Sequence, residues 1–359
     1  MKPDPDDIPE PDRVPGAPHP RHTDRVIGQD SAIAEFIEAA QGGRLHHAWM
    51  LTGPRGVGKA TLAWAIARWM LSGATGLFGA TDTPEARRIA ALSEPRLHLV
   101  RRPWDDKAGR LSAQITVDEI RRLLSFFHLS AAEGGRRIAI IDAADDMNPA
   151  AANALLKVLE EPPADALILM IAHQPAGLLP TIRSRCRTLR LSPLTPAQMG
   201  NVLAHLGIDE DAEALAALSD GSVGEALRLA GQAGLDRYQQ LVDLMATLPR
   251  LDRPRAAGFA DAAAGRAGAE GDPFDLTMTL LDRFLSRAAR AGLMGPPLPQ
   301  AAQGEGALLA RLSPDDHAAR AWAGAQSRLS ARARTGRAVN LDPAALVMDM
   351  LVGLANQPA

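Results

Sequence analysis

Three short stretches of this chain hold residues whose types and spacing could do phosphate chemistry. The first is GPRGVGKAT, beginning at Gly53. Gly53, Gly56 and Gly58 would let a strand-to-helix loop turn its backbone amides on one anion, and Lys59 would meet the outer phosphates. The next position, where a magnesium-binding hydroxyl belongs, is Ala60; Thr61 comes one place late and would face another direction on the first helical turn. The second stretch is RIAIID, in which Asp142 ends an apolar run and could support magnesium. Hydrolysis also needs a group that activates and positions water. Ala143 supplies none, and Asp145 could do so only if the backbone left its usual path. Otherwise Asp142, Asp145 and Asp146 read as a solvated loop. The third stretch is LPTIRSRCRTLRL, with arginines at 183, 185, 187 and 190. In extended backbone, alternation puts Arg183, Arg185 and Arg187 on one side. They read either as ordinary surface arginines or as the source of a guanidinium that reaches a neighbour's phosphates.

Other reactive side chains carry less. Cys186 is the single cysteine, which excludes an intrachain disulfide framework and a multi-cysteine zinc module. Without an oriented base beside it, it reads as a small buried thiol. His46 and His47 lack a third ligand for a metal.

Elements that would position these groups are visible in the hydrophobic pattern. Apolar strands are expected at 48–52, 97–100, 137–141, 167–172 and 188–191. Between them, a helix follows the glycine loop, another is expected over 115–129 with a capping box from Thr116 and Glu119, and a third is capped by Asn148 and Pro149. Strands alternating with helices, with a phosphate loop after the first, predict a mostly parallel sheet covered on both faces. After Pro193 the period is helical throughout. The expected organisation is a disordered proline-rich tail at 1–25, a sheet domain at 26–191, a small helical domain at 192–232 and a second helical domain at 233–355, interrupted by the low-specificity stretch 253–273.

Composition narrows the field. The 359 residues carry a formal net charge of -3, which argues against a free, strongly basic DNA-binding protein while leaving room for a local patch. The N-terminus has no signal-peptide core and no apolar run reaches membrane-spanning length, so a cytoplasmic protein with no membrane partner is expected.

The stretch NPAAANALLKVLEEPP followed by LLPTIRSRC is more specific than the glycine loop. With it, residues 26–355 resemble the delta-prime subunits of the bacterial DNA polymerase III clamp loader, which are AAA+ proteins. The resemblance implies a RecA-like α/β AAA+ domain with a parallel sheet, a small helical lid and an all-helical C-terminal collar. It implies partners too: the tau/gamma motor subunits and the delta subunit in a hetero-pentamer, the sliding clamp, and primed DNA met as part of the complex. The family's nucleotide lysine falls at Lys59 and its magnesium aspartate at Asp142. Its SRC motif falls at Ser184, Arg185 and Cys186, making Arg185 an arginine finger that acts in trans.

Departures from the family's motor pattern run together. Ala60 and Ala143 replace the metal hydroxyl and the catalytic acid, Ala172 and His173 stand at the sensor-1 pair, and Gly224 stands where the lid arginine belongs. The resemblance therefore implies a non-hydrolysing subunit with no ATPase of its own and no required cofactor. Gly53, Gly56, Gly58, Lys59, Thr61 and Asp142 would form a degenerate nucleotide site open to a passively bound ATP or ADP with magnesium. Two other readings stay open: an autonomous AAA+ DNA-dependent ATPase, and a purely structural replication-complex protein.

Overall fold

The computed structural model describes residues 10–14, 17–43, 45–79, 82–128, 135–268 and 271–355. The chain forms two compact units, divided between Pro193 and Leu194.

The first unit is built on five strands: β1 (Ala48–Thr52), β2 (Leu97–Arg101), β5 (Arg137–Asp142), β6 (Ala166–Ala172) and β7 (Arg187–Arg190). They lie in the order β2-β5-β6-β1-β7, and every pairing is parallel. Parallel strands need crossovers, and α1 (Asp30–Gln41), α2 (Lys59–Ser72), α3 (Pro84–Ala90), α4 (Val117–His128), α5 (Pro149–Glu160) and the short α6 (Pro180–Arg183) lie between or before them. The three central strands β5, β6 and β1 are apolar at nearly every position because both faces are covered, whereas the edge strand β7 exposes all but Leu189. Trp49, Leu51, Ile138, Ile140, Leu167 and Leu169 pack with Phe36 of α1 and Leu62 and Ile66 of α2. The alternate residues Ala48, Met50, Ala139, Ile141, Ile168 and Met170 pack with Ile120 and Leu123 of α4 and Leu155 and Leu159 of α5. The expected parallel sheet therefore holds.

Three local expectations are corrected and one element is added. Ile115 is not helical: it makes a parallel bridge with Met147, and α4 starts at Val117. Glu119, expected to close a capping box, pairs with Arg122 at 2.6 Å, and Leu129 lies outside the described residues. A two-stranded antiparallel hairpin of β3 (Trp104–Asp105) and β4 (Arg110–Leu111) was not foreseen, since two-residue strands leave no periodicity to read. Finally, residues 10–14 and 17–25 are packed, not tail-like; 1–9 and 15–16 lie outside the described residues. Arg101 holds Asp12 at 2.7 Å and Glu10 at 3.2 Å, and His19 Nε2 lies 3.0 Å from Asp12. Arg68 of α2 donates to the carbonyls of Arg21 and Thr23 at 2.8 and 2.5 Å. Proline content signalled a weakly patterned segment, whereas charged partners distant in sequence hold it.

The second unit is all helical, with α7 (Pro196–His205), α8 (Ala212–Ser219), α9 (Val223–Gly231), α10 (Gly234–Ala246), α11 (Arg253–Ala263), α12 (Pro273–Met294), α13 (Glu305–Leu312), α14 (Asp316–Ala338) and α15 (Pro343–Ala355). This helical architecture after the sheet is the one expected for a lid and collar. One continuous core runs from Met199 and Leu203 through Tyr238, Leu281 and Phe284 to Leu354. Helix α11 falls inside the stretch 253–273, read above as an interruption. Its alanines hide its face, but Asp252 caps it, and Ala256, Phe259, Ala260 and Ala263 are buried. A buried polar group also ties this unit together: Glu305, fully buried, accepts from Tyr238 Oη at 2.6 Å, Arg287 Nε at 2.6 Å and Nη2 at 2.8 Å, and Ala301 N at 2.7 Å.

Candidate functional site

The glycine loop connects the end of β1 to the start of α2, at the carboxyl edge of the parallel sheet where ligands of such folds bind. Gly53 adopts φ +140° and its missing Cβ would stand 2.4 Å from the carbonyl oxygen of Leu191, so only glycine fits there. Gly56 and Gly58 also have positive φ, the latter immediately before the first residue of α2, Lys59. Gln29 anchors this loop. Its side-chain amide donates to Val57 O at 3.1 Å and Ser192 O at 2.8 Å, and accepts from Ser192 N at 3.1 Å. The sequence does not mark Gln29, because a lone glutamine before a helix has no signature until its partners are known.

Lys59 is buried, and its ammonium is turned onto the loop itself, donating to Gly53 O at 2.7 Å and Pro54 O at 2.5 Å. Burial lowers its pKa to about 8, against the opposing pull of Asp142 and Asp145. Thr61 lies on α2 two positions beyond Lys59, and Ala60 leaves the intervening position without a hydroxyl.

Asp142 ends β5, with Arg101 of β2 as its register partner. Its carboxyl is buried, and burial together with nearby Asp12 pushes its pKa up to about 7 despite Lys59. Asp146 is held by Arg102 at 3.3 Å. Asp145 is neither a free base nor part of a solvated loop. Its Oδ2 accepts from His173 N at 2.5 Å and its Oδ1 from Gln174 N at 2.9 Å, so both oxygens are committed to the backbone just beyond β6. The His173 ring lies near Lys59 and Arg55, its Nδ1 buried without a hydrogen-bond partner. Burial first, then those two cations, hold its pKa down at about 4, so the ring is neutral at pH 7.

The loop's backbone fits a phosphate group, and Lys59 is within reach of one if it leaves its own carbonyls. The donors for a hydrolytic metal centre are fewer: Ala60 offers no oxygen and Asp145 is occupied, which leaves Asp142. Among the described residues no three side chains are grouped as metal ligands.

The arginine-bearing segment departs from simple alternation. Arg183 ends α6, Arg185 sits on the following turn, and only Arg187 and Arg190 belong to β7. Arg187 stacks over Trp49 at 4.8 Å and pairs with Glu35 at 3.1 Å. Arg185 pairs with Glu160 at 2.9 Å. Cys186 between them has its thiol pushed up to about 12 by burial, which removes it as a nucleophile at neutral pH. The His46 and His47 rings lie 4.3 Å apart, tilted by 30°, and bond to the carbonyls of Ala48 and Leu159, a structural use of both rings. In the second unit Gly224 lies in the first turn of α9, capped by Ser222.

A parallel sheet in this strand order, with a glycine loop after β1 and an aspartate ending β5, defines an AAA+-like protein. A family model described as DNA polymerase III, delta subunit, matches residues 28–195. The chain is 39% identical over 208 residues to the DNA polymerase III subunit delta' of Pseudomonas aeruginosa, covering 56% of this chain and 62% of that one. It is 31% identical over 236 residues to the delta' subunit of Yersinia pestis, covering 60% of this chain and 67% of that one. Over 262 residues it is 31% identical to the tau subunit of Salmonella typhimurium, covering 68% of this chain and 38% of that one. It thus spans less than two thirds of the length of the Pseudomonas and Salmonella proteins. A solved structure of a DNA polymerase III gamma subunit-related protein from Thermotoga maritima aligns with 90% of this chain and 99% of its own, at 17% identity and a TM-score of 0.37. The chain belongs to the bacterial DNA polymerase III clamp-loader subunits, the group that comprises delta-prime, tau and gamma. Among the described residues no helix is long and apolar enough to cross a membrane.

Proposed function

We propose that this chain is the delta-prime-type subunit of a clamp loader, a member that does not hydrolyse ATP itself. In this reading Arg185 is an arginine finger completing the ATP site of a neighbouring motor subunit. The assembly, with tau/gamma, delta and the sliding clamp, would act on primed DNA, felt as phosphate charge and not as sequence.

One observation carries the reading. The chain's own phosphate site has lost the groups that fire it, with Ala60 and Ala143 in place of hydroxyl and acid and Asp145 tied to backbone amides. Arg185, on a turn of the same unit, remains a partly exposed cation. An arginine that completes a site only when subunits dock couples ATP turnover to assembly. Bound to the loop at Lys59, a nucleotide would hold structure without turning over.

The test is reconstitution with the other loader subunits. Arg185→Ala should assemble normally and lose on the order of 10³-fold of the DNA-stimulated ATPase, the scale of a trans finger. Unchanged turnover and clamp loading would remove the finger assignment. Robust ATPase by the chain alone, abolished by Asp142→Asn, would instead favour an autonomous motor.

A further inference from the structure

Arg185 is held from two sides by groups that a finger role does not by itself require. Its Nη2 lies 2.9 Å from Oε1 of Glu160, the last residue of α5. Its Nη1 donates to the carbonyl of Thr181 in α6 at 3.1 Å and reaches Ser184 Oγ at 3.5 Å. The guanidinium therefore bridges two helices of the sheet unit instead of hanging free from its turn.

A guanidinium has five N–H groups in a fixed fork. Thr181 and Ser184 engage Nη1, and Glu160 lies against Nη2 as its ion-pair partner. The Nε–H and an N–H of Nη2, on the adjacent edge of the fork, stay available for bidentate contact with a phosphate. Arg187, two residues on, turns the corresponding Nε–Nη2 edge of its fork onto Glu35 and stacks over Trp49.

We propose that Glu160 is a positioning residue for Arg185, an anchor that sets the guanidinium in place and leaves its outer N–H groups for a neighbouring subunit's phosphates. This rests on the trans role proposed above. A long arginine side chain loses rotamer freedom when it docks, and an anchor already in place removes part of that cost. Glu160 is about half exposed, with a relative side-chain accessibility of 49%. Such an ion pair contributes little to folding, so removing it leaves the fold intact and isolates the positioning effect.

The experiment uses the full chain reconstituted with the other loader subunits, clamp and primed DNA. Glu160→Ala should lower the stimulated kcat on the order of tenfold with the KM for ATP changed less than about twofold, the pattern of a lost transition-state contact. Glu160→Gln keeps an acceptor oxygen and should recover most of the rate. In the Arg185→Ala background, Glu160→Ala should have no further effect. In the isolated chain, ¹⁵N relaxation of the Arg185 Nε–Hε group should show greater mobility in Glu160→Ala. A wild-type rate in Glu160→Ala beside a slow Arg185→Ala would overturn the anchor and leave the finger standing. A faster Glu160→Ala would make the carboxylate a mask and overturn it too. Unchanged Nε–Hε order would do the same whatever the ATPase shows, and a wild-type rate in Arg185→Ala would remove both assignments.

Discussion

Asp145 closes on the backbone of His173, its Oδ2 accepting from that amide at 2.5 Å while Oδ1 takes the next amide, of Gln174, at 2.9 Å. The first carboxylate after Ala143 is thus a clasp between the loop after β5 and the end of β6. Asp145→Ala leaves two strand-end amides without their acceptor and should cost about 1–2 kcal/mol. The check is the urea midpoint at an unchanged m-value. If Asp145 were instead a water-activating base, its loss would appear as lost ATPase in the isolated chain.

Asp142 and Lys59 should leave opposite marks on stability as pH rises. The folded pKa of Asp142 is raised, from 3.8 to about 7, so its contribution is full below pH 3.8 and is lost as pH rises through 7. The Lys59 pKa is depressed, from 10.5 to about 8. The unfolded chain then holds the extra proton between those values, and stability rises with pH across that window. Asp142→Asn should flatten the first change and make the protein more stable at pH 8 by at least about 1 kcal/mol. Lys59→Met should flatten the second. Denaturant midpoints of the three proteins from pH 4 to pH 10 decide this.

The N-terminal strap should open in acid. Burial raises the Asp12 carboxyl, but contacts with His19 and Arg101 outweigh it and hold the group below its ordinary 3.8. In Glu10 the same opposition, with Arg21 as the main counterweight, leaves it below 4.5. Stability from both is present above those values and is lost as pH falls through the lower folded ones. Hydrogen exchange corrected for intrinsic rates should show amides at 17–25 protected at pH 6 and freed near pH 2, and freed at pH 6 in Arg101→Ala. Equal protection in Arg101→Ala would mean that Arg68 alone holds the strap.

The helical unit should depend on one carboxylate. Glu305 is fully buried and balances Arg287, which is itself only 7% exposed. Glu305→Ala strands that cation and should destabilise the unit by about 3–5 kcal/mol. Tyr238→Phe removes a single neutral donor and should cost about 1–2 kcal/mol. Chemical unfolding followed by helical circular dichroism measures both, and equal small effects would argue against the buried charge.

Local chemistry accounts for how much of this was legible. The central strands show because each is buried on both faces, leaving runs such as Leu167–Ala172 unbroken by polar residues. The glycine loop shows because Gly53 sits where a Cβ would meet Leu191 O. Helix α11 was missed because alanines at 256, 260 and 263 look the same buried or exposed. Alternation misplaced Arg183 and Arg185 because α6 and its turn replace extended backbone there.

By itself the sequence determined the class of fold, the glycine loop, and the absence of a hydroxyl at Ala60 and of an acid at Ala143, since each depends on residue type at a fixed local spacing. Tertiary structure alone decided where the charges went: Asp145 onto backbone amides, Lys59 onto its own loop, Arg101 onto the strap, and Arg185 onto Glu160. Those partners are separated by up to 91 residues, as Glu10 and Arg101 are. Side-chain hydrogen bonds between such distant positions leave no periodicity, so only the folded backbone brings them within 3 Å or so of one another.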